Sequence, residues 1–118
     1  MTKIIVADDS YAQRKTIVRL IKTIMDAEII EANNGVDVIM QDLTDVDMII
    51  SDIIMPIMDG MKLTQHIRRV KQADIPIIIL SSDLSERDVK KGRQLGVTAF
   101  MQKPVDKNKI EDILHTYL

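Results

Sequence analysis

Hydrophobic and polar positions along the chain alternate between short apolar runs and stretches with helical periodicity. Runs that are rich in β-branched residues, or that alternate between apolar and polar, predict five strands, at residues 4–7, 28–32, 48–51, 77–80 and 98–101. The run at 77–80 is the most apolar, which is typical of a central strand, and the run at 28–32 is the most polar, which indicates an edge strand.

A helical pattern follows each predicted strand, since apolar residues there recur at spacings of three and four. The helices are expected after the first strand, at about residues 36–42 and 61–71, from a capping box at 85–88 to about residue 95, and after residue 106. The expected caps are Asp9 or Ser10, Ser85 and Asp106 at helix starts and Gly96 at a helix end. The expected inward residues of the second and third helices are Val36, Ile39, Met40 and Leu43, and Leu63, Ile67 and Val70.

The alternation of strand and helix sets the predicted fold class. Parallel strands joined by right-handed helical crossovers give an α/β sheet with helices on both faces. Because the second strand is the most polar and the fourth the most apolar, we expect a flavodoxin-like, doubly wound (βα)5 fold with the strand order 2-1-3-4-5. The 118 residues are interpreted as one domain spanning 1–118.

Composition narrows the possible functions. The net charge is −2 and aromatic residues make up 3% of the chain, so no basic field or stacking platform exists for direct binding to nucleic acid. Cysteine is absent, which excludes disulfides and cysteine metal sites and suits a reducing cytoplasm. No apolar run approaches the roughly 20 residues of a membrane span, and the N-terminus does not resemble a signal peptide.

Polar residues follow the carboxyl ends of four predicted strands. Asp8 and Asp9 follow the first, Asp52 the third, Ser81 the fourth and Lys103 the fifth. All these ends meet at one edge of a parallel sheet, and the first and third strands flank the point where its order reverses and ligands bind. Three crowded carboxylates need a cation, and the oxygen ligands favour Mg²⁺.

This group of side chains suits phosphoryl transfer to a carboxylate. Asp52 is the expected nucleophile, and Asp9, with Asp8 nearby, is expected to hold the metal. Lys103 and the hydroxyl of Ser81 would each contact a phosphoryl oxygen, because the transferring group spreads its negative charge over its oxygens.

The sequence resembles the receiver domain of two-component response regulators, and the stand-alone chemotaxis type most of all. The resemblance covers essentially the whole chain. Its marks are Asp8-Asp9, Asp52 followed by Met55-Pro56 and Asp59-Gly60, Ser81, and Lys103-Pro104. Each of these marks is weak alone, but their order and their places on the predicted elements make the resemblance specific.

The resemblance implies a cytoplasmic switch that is phosphorylated on Asp52 by a sensor histidine kinase or a phosphotransfer domain. It implies Mg²⁺ held by Asp9, Asp52 and the backbone carbonyl of Ile54, with Asp8 acting through water. It also implies slow, self-catalysed hydrolysis of the acyl phosphate. Ser81 stands where threonine is commoner in the family, so the hydroxyl is kept and its orienting methyl group is lost.

The family also implies a response to phosphorylation, in which the hydroxyl of Ser81 moves towards the phosphoryl group and an aromatic side chain, here Phe100, swings inward. A plain core role for Phe100 is an equal alternative. The downstream protein target would bind the face formed by the fourth helix, the fifth strand and the last helix. The charged residues of the fourth helix fit either a solvated face or that partner surface.

Other functions stay open at this point. The chain also fits a receiver belonging to a larger regulator, or a phosphorelay intermediate. A phosphatase of the haloacid dehalogenase type needs a second acid two residues after its nucleophile, where Ile54 stands. A flavodoxin-like cofactor binder needs a phosphate loop after the first strand, where Asp8 and Asp9 would repel phosphate. By resemblance, Ile54 and Asp83 border the path of the water that attacks the acyl phosphate.

Overall fold

A parallel sheet of five strands forms the centre of the protein in a computed structural model that describes residues 1–118. The strand order is 2-1-3-4-5, as the sequence predicts. The strands are β1 (Thr2–Ala7), β2 (Ala27–Ala32), β3 (Met48–Asp52), β4 (Ile77–Ser81) and β5 (Ala99–Gln102). The order reverses between β1 and β3, which pair directly, so a crevice opens where both strands end.

Five helices cover the two faces of the sheet, and none of them is long and apolar enough to cross a membrane. They are α1 (Tyr11–Ile24), α2 (Gly35–Ile39), α3 (Gly60–Arg69), α4 (Glu86–Leu95) and α5 (Lys107–Tyr117). Apolar residues of α2, α3 and the end of α4 pack on one face, and those of α1 and α5 pack on the other. The predicted doubly wound (βα)5 fold is therefore confirmed.

The central strands supply both layers of the core, because successive side chains of a strand point to opposite faces. In β4, Ile77 and Ile79 pack towards α3, while Ile78 and Leu80 pack towards α1 and α5. All four are fully buried. This explains why the fourth apolar run shows no alternation in the sequence.

Caps fix where the helices begin. Ser10, Ser85 and Asp106 each accept a hydrogen bond from the backbone N–H three residues later, as the sequence predicts. Gly96 ends α4 in the left-handed conformation, with φ of 103°. The start of α1 at Ser10 brings the helix directly after the acidic pair of β1, so the acids lie at its N-terminal end.

Two expected core residues are exposed instead. Met40 is 78% exposed and Val70 is 66% exposed, because α2 ends at Ile39 and α3 ends at Arg69, one residue before each of them. Val38, which the helical pattern did not select, is fully buried in α2. Periodicity misassigned these residues because it does not locate the last turn of a short helix.

Candidate functional site

Three aspartates meet where β1 and β3 end. Asp8 and Asp9 follow the last residue of β1, and Asp52 is the last residue of β3. One carboxylate oxygen from each lies within 4.8 Å of the others. Asp8 is completely buried, Asp9 is exposed, and the side chain of Asp52 is 13% exposed. The rim of the sheet thus gathers the three acids that the sequence places there.

A lysine partly balances this negative charge. Lys103 follows β5, and its backbone N–H donates to the carbonyl oxygen of Ser81, which holds the loop against β4. Its Nζ lies 3.0 Å from Asp52 Oδ2 and 3.8 Å from Asp8 Oδ2. Only the first distance is short enough for a hydrogen bond. Lys103 is therefore paired with Asp52 and forms no hydrogen bond with Asp8 Oδ2.

The carboxylate of Asp8 is in an environment that disfavours its negative charge. Burial raises the pKa of Asp8, and the negative charges of Asp52 and Asp9 raise it further. Two groups oppose this rise: the backbone N–H of Ser10, which donates to Asp8 Oδ1 at 2.9 Å, and the ammonium of Lys103. The other oxygen, Oδ2, is buried and has no hydrogen-bond partner.

An oxygen-seeking cation fits this arrangement. The unpartnered Asp8 Oδ2 is a buried acceptor whose charge calls for a cation or for water held by one. Mg²⁺ takes oxygen ligands, including carboxylates, and the three acids offer oxygens that lie within 4.8 Å of one another. The carbonyl oxygen of Ile54 accepts no hydrogen bond within the chain and is also free to act as a ligand.

The loop after β3 is held in a fixed shape. Gly60 donates its N–H to the carbonyl oxygen of Ile53 at 2.9 Å, and a Cβ on Gly60 would lie 2.5 Å from the carbonyl oxygen of Asp52. Only glycine allows this approach. Ile57 is the centre of a γ-turn, because Met58 N–H donates to the Pro56 carbonyl oxygen, and it adopts φ of 68°.

Comparison with known proteins identifies the family. Residues 4–115 match the family model described as the response regulator receiver domain. The chain belongs to the response regulator receiver domain family.

Two relatives that match over almost their whole length, and one that matches over a small part, support the assignment. The chain is 31% identical to the chemotaxis protein CheY homolog of Campylobacter jejuni, over 97% of this chain and 93% of that protein. It resembles the solved structure of the chemotaxis protein CheY4 of Vibrio cholerae with a TM-score of 0.90 and 26% identity, over 100% of this chain and 99% of that one. A shorter match, 45% identical over 65 residues, covers 55% of this chain and 14% of the transcriptional regulatory protein GlrR of Escherichia coli.

Membership in this family decides between several alternatives. Receiver domains are signalling modules that interact with histidine kinases and downstream targets, and they bind Mg²⁺ at an acidic pocket. In this chain an acidic cluster is present, formed by Asp8, Asp9 and Asp52. The chain is therefore neither a phosphatase of the haloacid dehalogenase type nor a flavodoxin-like cofactor binder.

Ser81 lies at the end of β4, as predicted, but its hydroxyl forms no hydrogen bond with the three acids. It is 5% exposed. Its Oγ donates to the carbonyl oxygen of Asp83 and accepts from the Asp83 backbone N–H, both at 3.1 Å. The hydroxyl is thus engaged in the loop after β4.

Phe100 packs beneath α4 in the half-buried rim of the core. A Cβ added at Gly92 would lie 2.3 Å from Cζ of Phe100, so the ring fills the space that the missing side chain leaves. The same Cβ would lie 3.2 Å from the terminal carbon of Met61. Gly92 is also the only buried residue of α4. The ring of Phe100 is therefore a main contact between β5 and α4.

Sequence reasoning missed two residues next to the acidic pocket. Gln13 accepts a hydrogen bond from Lys103 Nζ through Oε1 at 2.6 Å. Arg14 is 8% exposed and donates from Nη1 to the Asp8 carbonyl oxygen at 2.7 Å and to Asn33 Oδ1 at 3.0 Å. Its Nε donates to Glu31 Oε1 at 2.9 Å.

A sequence signal for Arg14 did exist. Arg14 occupies the inward stripe of α1, three, four and seven residues before Ile17, Val18 and Ile21, and a charge on an apolar stripe indicates a buried partner. Gln13 is exposed in the first turn of α1, four and eight residues before Ile17 and Ile21. A single polar residue at the start of an apolar stripe does not by itself indicate a contact with a lysine 90 positions away.

Proposed function

We propose that this receiver domain is a phosphorylation-activated switch and that Asp52 is its phosphoacceptor. The observation that carries the proposal is the position of the Asp52 carboxylate, at the rim of the sheet, paired with Lys103 and within 4.8 Å of oxygens of Asp8 and Asp9. An oxygen of Asp52 attacks phosphorus in a phosphohistidine of a sensor kinase or phosphotransfer domain. The P–N bond breaks, and its electron pair stays on the imidazole nitrogen.

The surrounding side chains would stabilise the transferring group. Asp9, Asp52 and the carbonyl oxygen of Ile54 would hold Mg²⁺, and Asp8 would act through a water molecule. Bound Mg²⁺ offsets the negative charge that the carboxylates and the phosphoryl oxygens bring together. Lys103, 3.0 Å from Asp52, donates to one phosphoryl oxygen. Hydrolysis of the resulting acyl phosphate by water resets the switch.

The response to phosphorylation would begin at Ser81. The phosphoryl group adds charge and acceptor oxygens beside a hydroxyl that is now bound only to the backbone of Asp83. Donation by Ser81 to the phosphoryl group breaks that turn and shifts the loop that leads into α4. Because the ring of Phe100 fills the space at Gly92, movement of α4 changes the environment of that ring.

The downstream target would bind the face formed by α4, β5 and α5. Four cationic residues of α4 are exposed and form no ion pair within the chain, although the net charge of the protein is −2. The four are Arg87, Lys90, Lys91 and Arg93. Their charge favours a partner segment that carries acidic residues.

The test is intact mass after the protein is mixed with a small acyl-phosphate donor, with and without Mg²⁺. We expect one added phosphoryl group in the wild type with Mg²⁺, and none when Mg²⁺ is removed or when Asp52 is replaced in Asp52→Asn. Asp45→Asn, on an exposed loop residue, is the matched control and should behave as the wild type. A phosphoryl adduct on Asp52→Asn would contradict the assignment of the phosphoacceptor.

If the folded wild type shows no adduct, binding of beryllofluoride is measured next, because beryllofluoride mimics a phosphoryl group without undergoing hydrolysis. Binding of beryllofluoride that requires Mg²⁺ and Asp52 would indicate a short-lived acyl phosphate. A folded wild type that binds no beryllofluoride would refute the proposed chemistry.

A second candidate is the receiver part of a larger regulator, or a phosphorelay intermediate. It is favoured by the match to GlrR, of which the alignment covers only 14%. The same phosphoacceptor would serve both functions. Transfer of the phosphoryl group from Asp52 to a second histidine domain would distinguish a phosphorelay intermediate, because only a relay passes the group onward.

A further inference from the structure

The side chain of Lys103 is held by two acceptors on different elements. Its Nζ donates to Asp52 Oδ2 at 3.0 Å and to Gln13 Oε1 at 2.6 Å. An ammonium has three N–H donors, and the remaining contact, to Asp8 Oδ2, is 3.8 Å long and is not a hydrogen bond. Gln13 is thus one of only two groups that fix the position of the charge.

Gln13 and Asp52 differ in charge, and this affects how each of them holds Lys103. Its amide oxygen is uncharged, so it orients the ammonium of Lys103 without neutralising it. A free lysine side chain samples many rotamers, and ordering it costs entropy whenever it binds a ligand. An acceptor that orders Lys103 beforehand removes part of that cost from the binding of a phosphoryl group.

The backbone of Gln13 is itself anchored close to the acidic pair. Gln13 is in the first turn of α1, and its N–H donates to the Oγ of Ser10 at 3.3 Å. Ser10 in turn donates its N–H to Asp8. The position of Gln13 is therefore set by the same loop that presents Asp8 and Asp9, which ties the lysine after β5 to the acids after β1.

We infer that Gln13 is a positioning residue for Lys103, and that its amide oxygen holds the ammonium where a phosphoryl oxygen on Asp52 will need it. The inference rests on the proposed role of Lys103 in binding the phosphoryl group. Gln13 lines an open cleft of about 410 Å³ with Thr16, Ser82 and Pro104, so its replacement does not disturb the core.

Gln13→Met keeps the length of the side chain and removes the acceptor, while Gln13→Glu keeps an acceptor. The matched control is Gln94→Met, on the exposed side of α4, where the glutamine makes no hydrogen bond. The first measurement is carbon-13 relaxation at Cε of Lys103 in the metal-free protein. Gln13→Met should lower its order below the wild-type value, because Asp52 then holds the ammonium alone, whereas Gln13→Glu and Gln94→Met should leave it as ordered as in the wild type.

The second measurement is the affinity for beryllofluoride with Mg²⁺. We expect Gln13→Met to bind about threefold to tenfold more weakly than the wild type and Gln94→Met to bind equally well. Wild-type order at Lys103 in Gln13→Met would overturn the inference, and so would unchanged beryllofluoride affinity with a disordered Lys103. A wild type that binds no beryllofluoride would instead refute the proposed function, since the relaxation measurement uses neither metal nor ligand.

Discussion

The two flanks of the acidic pocket are built in opposite ways. On one flank, α1 turns four residues into the core, and Arg14 links that helix to β1 and β2 through hydrogen bonds. On the other flank, α4 buries only Gly92, and its exposed cations form no ion pairs. The α1 flank is thus packed and hydrogen-bonded beside the acids, while the α4 flank has few buried side chains, so we expect a change at Asp52 to act on the α4 flank.

The largest effect should come from breaking the α1 flank. Arg14→Ala removes the donor to the buried Asp8 carbonyl oxygen and to Glu31 and Asn33. We expect the free energy of unfolding to fall by about 2–3 kcal/mol, because buried acceptors lose their partner. Urea unfolding measures this.

Arg19→Ala is the matched control, since Arg19 lies on the exposed side of α1 and forms no hydrogen bond. Its free energy of unfolding should change by less than about 0.5 kcal/mol. Equal destabilisation by the two variants would remove the distinction between the two flanks.

Asp8→Asn removes the buried negative charge on the α1 flank, and it should change the free energy of unfolding less than Arg14→Ala does. The raised pKa of Asp8 means that the folded protein holds this proton more tightly than the unfolded chain, whose pKa is near 3.8. The wild type should therefore lose stability as pH rises from that value through the folded-state pKa, and Asp8→Asn should lack this loss. Urea unfolding without Mg²⁺, at a series of pH values, gives the difference between the two proteins; a difference that does not depend on pH would contradict the argument.

Gly92→Ala probes the sparse packing of α4. The added Cβ would lie 2.3 Å from Phe100 Cζ, so the ring must shift. Overpacking destabilises a fold by about 1–3 kcal/mol, and the higher helix propensity of alanine stabilises it by about 1 kcal/mol. We therefore expect the free energy of unfolding to fall by about 1 kcal/mol. Chemical unfolding measures the loss, and the ring resonances of Phe100 report the shift.

The background variant Phe100→Leu lacks Cζ and serves as the control for this clash. In that background Gly92→Ala should destabilise the protein less or stabilise it, because the 2.3 Å contact is gone and only the approach to the flexible end of Met61, at 3.2 Å, opposes the gain in helix propensity. If the substitution destabilises both backgrounds equally, the ring of Phe100 does not occupy the space at Gly92.

The smallest effects on stability are expected at Ile54 and Asp83, which flank Asp52 and Ser81 on the responsive side. Both side chains are exposed, so Ile54→Ala and Asp83→Ala should change the free energy of unfolding by less than about 0.5 kcal/mol. The lifetime of the phosphorylated state should change instead, because both side chains would border the path of the attacking water. The rate of dephosphorylation, measured as loss of the mass adduct, tests this predicted change in lifetime. Unchanged rates in both variants would contradict the prediction.

Much of this architecture could be predicted from local patterns in the sequence. The strand order, the caps at Ser10, Ser85 and Asp106, and the meeting of three aspartates at one rim all depend on periodicity and on the residue types directly after each strand. The contact between Gln13 and Lys103 joins residues 90 positions apart and depends on rotamers, which no periodicity encodes.

Ser81 shows a different limit of sequence reasoning. Its place at the end of β4 could be predicted, but its hydroxyl is bound by the backbone of Asp83. Serine competes for nearby backbone groups in loops, and here its hydroxyl bonds the backbone two residues further on. The sequence indicates which residues can serve the site, and the structure adds the hydrogen bonds that each of them makes.

The ends of the sheet bear on how this protein meets its partners. Strand β2, at one edge of the sheet, carries the exposed Glu28, and β5, at the other edge, has four residues and runs into Lys103-Pro104, where proline offers no N–H. Such borders discourage another chain from adding a strand. Recognition must then pass through side chains on helices and loops, whose affinity for a partner is open to change by a single added charge.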